Sequence, residues 1–193
     1  MSRFLSCYAT PLVLLALSAA VMALGEAGFD ALSYQRDRIT SGALWRLLSG
    51  HWVHLGWAHL LLNLAGLALV WALFGQVLAG LKSLALVLVI SLGLSLSLLA
   101  FHPELAWYVG LSGVLHGLFA SGAVIALHRP SLRLVAAIGL VLLAIKLTAE
   151  IWSDAAPVWV VTEAHFHGAL WGIVAGLLWE QPWLRRGRGK SQL

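Results

Sequence analysis

Gly110-Leu111-Ser112-Gly113 opens one apolar segment, and Ala164-His165-Phe166-His167-Gly168 opens another far downstream. A serine and a histidine at the heads of two membrane spans are the parts of a nucleophile and its base. A serine hydroxyl is a weak nucleophile until a neighbouring group takes its proton, so hydrolysis within a bilayer needs both. The flanking glycines allow close backbone approach.

The surrounding composition agrees. Of 193 residues, 61% are hydrophobic and 10% charged, where a soluble domain carries about 25% charged residues. At ~20 residues per span, five to seven helices use most of the chain, so we expect an all-α polytopic membrane protein in a single domain, 1–193. The sequence pI is near 9.7, but the basic residues sit at span ends, which points to topology and away from a nucleic-acid partner. Cys7 is the one cysteine, so no intramolecular disulfide is available.

Charges punctuate the spans, expected at Phe4–Leu24, Ala58–Val77, Ser83–Ala100, Ser112–Leu127, Leu132–Trp152 and His165–Trp183, with a basic tail at 184–193. The first span also has the look of a signal peptide, though it is long enough to cross. The inner segments collect Arg3, Lys82, Arg129, Arg133, Arg185, Arg186, Arg188 and Lys190 against one acidic residue, Glu180, and the outer loops collect Glu26, Asp30, Asp37, Glu104, Asp154 and Glu163. The positive-inside rule then puts both termini in the cytoplasm. His59, Asn63, Ser112 and His165 all fall at outer-face span starts, so three distant segments deliver polar residues to one depth.

Helix geometry separates the two candidate bases. Gly168, Gly172 and Gly176 form a small-residue stripe that admits a close neighbour. His165 shares that face, whereas His167 lies about 200° away at ~100° per residue. His165 is therefore the expected base. Gly113, Gly117 and Ser121 form a matching stripe on the serine helix. His59 and Asn63 are four apart on one face, and both can donate to an oxyanion or form an interhelical hydrogen-bond pair. His116, one turn after Ser112, either stacks on or bonds to His165, or is a core histidine with a local partner. Lys146 and Glu150 pair four apart on the fifth span. They form either a snorkelling pair or a polar feature of the substrate route between spans two and five, where Glu150 would select the peptide.

Taken together, Trp45-Arg46, then His54, His59 and Asn63, then Gly110-Leu111-Ser112-Gly113, then Ala164-His165 with Gly168 and Gly172 resemble the rhomboid intramembrane serine proteases. The resemblance covers residues 45–176, within an expected catalytic core of about 45–183. It implies a six-helix bundle and a Ser112–His165 dyad without a carboxylate third member. It also implies an oxyanion site at His59, Asn63 and the Ser112 amide, and a structural role for Trp45 and Arg46 in the first outer loop. His116 departs from the family, where many members carry tyrosine, and His167 is not part of the general pattern. Small size, the run Gly113-Val114-Leu115-His116-Gly117 and the Lys146/Glu150 pair are similar to the rhombosortase branch. That branch implies a bacterial inner-membrane enzyme with its site toward the periplasm, acting on exported proteins with a C-terminal Gly-Gly anchor.

Serine endopeptidase activity on transmembrane or C-terminally anchored substrates is thus the expected function, with the bilayer as the other partner and no cofactor. A catalytically inactive membrane chaperone is the alternative. A metal-dependent hydrolase or metal transporter is weaker. The eight histidines include His165-x-His167 and His51-x2-His54, but alternate helix residues diverge and no carboxylate stands at a zinc-enzyme spacing.

Overall fold

The computed structural model describes residues 2–80, 82–152 and 160–179. The basic tail, Glu180, Asp154 and the end of the sixth expected span lie outside the described residues. The chain is built almost wholly from helices: α1 (Ser2–Ala23), α2 (Gly25–Leu32), α3 (Arg36–Thr40), α4 (Arg46–Ser49), α5 (Trp57–Leu78), α6 (Lys82–Phe101), α7 (Ser112–Ala126), α8 (Arg133–Trp152) and α9 (Thr162–Trp179).

Among the described residues, α5, α6 and α8 are each long and apolar enough to cross a membrane. A fourth crossing results if α1 and α2 count together, although the chain bends by 114° between them. The expectation of six spans is therefore met in part. The reason lies in α7 and α9. Helix α7 has 15 residues, about 22 Å at ~1.5 Å per residue, short of a ~30 Å hydrocarbon core. Helix α9 starts at Thr162 and carries Glu163, His165 and His167 in its first two turns, so His165 is its fourth residue and not its first.

Helix α7 is the centre of the bundle and packs against α5, α6, α8 and α9. Nearly all of its residues are buried, so its neighbours, and not lipid, cover it. The α7–α9 contact is the tightest because both helices are reduced to backbone along it. A Cβ added at Gly168 would meet the Gly113 backbone, one at Gly172 the Gly117 backbone, and one at Gly176 the Ser121 backbone. The two small-residue stripes face each other rung by rung. Trp171 on the neighbouring face of α9 lies over Gly93 of α6 and donates its indole N–H to Ser97 Oγ at 3.0 Å.

The segment 33–56 folds back on the bundle. A two-residue strand β1 (Tyr34–Gln35) pairs antiparallel with β2 (Trp107–Tyr108), with Tyr34 opposite Tyr108. Both tyrosines are buried with Leu94, Leu98 and Ala164. This cluster seats the strand pair directly beside the heads of α7 and α9.

Candidate active site

Ser112 is the first residue of α7, and the chain reaches it through Gly110 at φ +121°. Glycine is needed there for two reasons. Few other residues adopt that backbone conformation, and an added Cβ would lie 2.9 Å from the His59 ring. His165, one turn into α9, is buried, and its Nε2 lies 2.9 Å from Ser112 Oγ. The glycine stripes permit this distance by letting α9 approach until backbone meets backbone.

The other ring nitrogen decides the direction of that bond. Both carboxylate oxygens of Glu150 are 3.1 Å from His165 Nδ1. A carboxylate only accepts, so Nδ1–H donates to Glu150 and the Nε2 lone pair accepts the Ser112 hydroxyl. A carboxylate was not expected behind this histidine; here it belongs to Glu150. Its side chain is directed at His165, because α8 leans on α7 and α9 at this level. Lys146 Nζ donates to Glu150 Oε1 at 2.5 Å.

His116 does two of the things expected of it. Its ring stacks on His165 at 4.2 Å between centroids and 17° between planes. Its Nδ1–H donates to the Ser112 carbonyl at 2.7 Å. His167 stands apart from the serine. It stacks against Phe101, and its Nε2 is 2.9 Å from His102 Nε2.

Facing Ser112 from α5 is His59. The Leu55 N–H donates to His59 Nδ1 at 3.4 Å, which leaves the ring proton on Nε2, the atom 3.0 Å from where a Gly110 Cβ would stand. Asn63 is buried, and its amide donates to the His59 carbonyl at 3.2 Å. At the head of α7 the first amides have no intrahelical acceptor and carry the positive end of the helix dipole. The His59 ring and Ser112 Oγ thus border the same turn, 2.9 and 3.9 Å from where a Gly110 Cβ would stand.

The scaffold of the site is the folded-back segment. Arg46 is buried, and its guanidinium donates to the carbonyls of Ser33 and Asp30, both at 2.7 Å. Trp45 Nε1–H donates to the Ala31 carbonyl at 3.1 Å. These bonds tie α4 to the end of α2. The Gly110 N–H then donates to the Gly50 carbonyl at 3.2 Å, so the approach to Ser112 is held by the same segment. His54 packs edge-on against His59 at 5.1 Å, and its Nδ1–H donates to the Trp52 carbonyl at 3.0 Å. Burial, with His59 close by, lowers the His54 pKa to about 4.

Sequence reasoning missed two supports. Tyr108 donates its hydroxyl to the Gly110 carbonyl at 2.6 Å, and burial pushes its phenol above its ordinary range. Its position two residues before Gly110 was the available signal. His51 Nε2–H lies 3.1 Å from the Ser91 carbonyl and 3.0 Å from Ser95 Oγ, pinning the segment to α6. Burial lowers its pKa to about 4 as well.

A metal does not fit here. His116, Glu150 and His165 bring ligand atoms within 4.8 Å of one another. Yet the two rings lie nearly parallel, so lone pairs in their planes do not converge on one ion. Both nitrogens of His165 are already bonded. His51 and His54 each use one ring nitrogen on a different partner, Nε2 on Ser91 and Ser95 and Nδ1 on Trp52.

Comparison with individually curated proteins returns no match. The family model of the rhomboid domain matches residues 41–181. That stretch holds the folded-back segment from α4 onward, the serine and histidine helices and the apolar helices around them, and the chain belongs to the rhomboid family of integral membrane proteins.

Proposed function

We propose that this protein is an intramembrane serine endopeptidase in which Ser112 is the nucleophile and His165 the general base. The observation that carries the reading is the 2.9 Å contact between Ser112 Oγ and His165 Nε2 at the junction of two helices. That distance lies within the ~2.6–3.2 Å reach of a nucleophile and its base. Rhomboid-family membership, with its membrane-protein substrates, supports the same conclusion.

The reaction proceeds by acyl transfer. Ser112 Oγ adds to the peptide carbonyl as its proton passes to His165 Nε2. The carbonyl electron pair moves onto oxygen, where the His59 N–H, the Ser112 amide and the second N–H of the Asn63 side chain donate to it. Collapse expels the amine, which takes the proton from His165. Water then repeats the sequence on the ester and frees Ser112.

The finer reading is a six-span bundle with both termini in the cytoplasm and Ser112 near the periplasmic face of a bacterial inner membrane. It places the protein in the rhombosortase branch, cutting C-terminal Gly-Gly anchors of exported proteins. The basic and acidic residues divided between the expected inner and outer segments support the orientation. His116 and the Lys146/Glu150 pair support the branch.

A fluorophosphonate probe tests the central claim. Wild type should be labelled and Ser112→Ala should not. A wild type that stays unlabelled would point to the inactive-chaperone alternative.

A further inference from the structure

We propose that Glu150 is the positioning residue of this site, holding His165 in the tautomer that can receive the Ser112 proton. The inference rests on the reading of Ser112 and His165 as nucleophile and base, and it adds a third member to the pair.

The placement of Glu150 follows from the pattern of α8. This helix presents Ala136, Gly139 and Leu143 to the bundle and much of its remaining surface outward. Seven residues beyond Leu143, the same stripe arrives at Glu150, so the inward face of the helix ends in a carboxylate. A pair made only for helix stability would turn both groups outward. Instead the Lys146 side chain is 47% exposed and that of Glu150 only 20%. Both Glu150 oxygens are equidistant from Nδ1 at 3.1 Å.

Ionisable groups at membrane depth are costly unless paired. Lys146 balances the carboxylate charge from the outer side, and His165 meets it from the inner side. When Ser112 attacks, its proton goes to Nε2 and the ring becomes an imidazolium. Glu150 neither gains nor loses a proton. It retains the Nδ1–H bond and faces the new positive charge. The stacked His116 ring covers His165 without offering it a competing donor, since the His116 proton is engaged by the Ser112 carbonyl.

Lys146 donates toward this side chain, so in Glu150→Gln the amide oxygen turns to Lys146 and the amide N–H to Nδ1, which favours the opposite tautomer, with the proton on Nε2 and no lone pair for Ser112. The corresponding amide substitution in the Ser-His-Asp triad costs roughly 10⁴-fold, and a fall in fluorophosphonate labelling of roughly 10²–10⁴-fold is expected here. The second readout is the ¹⁵N spectrum of imidazole-labelled protein, with the His165 signal identified by its loss in His165→Ala. Wild type should show Nδ1 protonated, and Glu150→Gln should lose that signature. Labelling of Glu150→Gln at the wild-type rate overturns the proposal. So does slow labelling with an unchanged tautomer. If Glu150→Gln does not fold, the wild-type spectrum decides alone, and a ring protonated on Nε2 overturns the proposal. Failure of the proposed function reads differently: wild type and Ser112→Ala would then label alike, whatever the tautomer of His165.

Discussion

Substitution of Gly172 tests how closely the chemistry depends on helix approach. A Cβ at this position would meet the Gly117 carbonyl oxygen first, and would lie 2.6 Å from Gly117 Cα and 2.7 Å from Gly117 C, where ordinary contact begins at 3.4 Å. The obstacle is backbone and cannot rotate away. Gly172→Ala must therefore part α7 and α9 by at least about 0.8 Å, and Gly172→Val by more. Transmitted along the helices, that shift would carry His165 Nε2 from 2.9 Å to beyond the ~3.2 Å limit for proton transfer. A misplacement of about 1 Å can cost roughly 10²-fold in rate, and overpacking costs about 1–3 kcal/mol. Gly172→Ala should thus label with fluorophosphonate some hundredfold more slowly and unfold at a lower temperature in detergent. Gly66→Ala is the control. Its Cβ would meet only the tip of Leu115, at 3.2 Å, and that side chain can yield. If the two variants label alike at the wild-type rate, contact between the stripes does not set the Ser112–His165 distance.

Ser112→Ala and His165→Ala should each abolish cleavage of a membrane-anchored reporter, while His167→Ala, on a different face of α9, should retain most of it; the reverse order for the histidines would overturn the choice of base. His59→Ala and Asn63→Ala should each slow turnover by roughly 10²–10³-fold, the effect of removing one oxyanion donor, with membrane insertion unchanged in a fractionation assay; wild-type rates would remove them from the mechanism. Stability should fall as pH drops from about 6.5 to about 4. His51 and His54 are held neutral by burial to about pH 4 in the folded protein and charge near pH 6.5 when unfolded, so over that window the unfolded chain binds more protons and gains. His51→Gln should flatten this fall in thermal unfolding, and an unchanged slope would refute it. Arg46→Ala removes donors from the carbonyls of Asp30 and Ser33 at the end of α2 and should cost about 2–5 kcal/mol through unpaired buried groups, seen as early proteolysis of segment 33–56.

The sequence alone was enough to reveal the class of the protein and the two helices that carry Ser112 and His165. Long charge-free apolar runs have few folding options in a bilayer, because every backbone group must be satisfied within its own segment. Glycines at spacing four can be read as a contact face from helix geometry, without coordinates. The choice between His165 and His167 came from the same periodicity. Tertiary structure decided what periodicity does not carry. Glu150 and His165 lie on different helices, separated by the outer segment between α8 and α9, so no local spacing shows that they meet. In sequence Glu150 reads as the partner of Lys146, because i,i+4 neighbours are the ones helix geometry supplies. Its second partner depends on the way α8 leans against α7 and α9. The same limit hid Tyr108 and His51, whose bonds to Gly110 and to α6 arise from folding segment 33–56 back over the bundle. The apolar content of α7 and α9 was also a poor guide to their crossing, because the turn at Gly110 starts α7 too late to reach a full span, and the first two turns of α9 carry Glu163, His165 and His167.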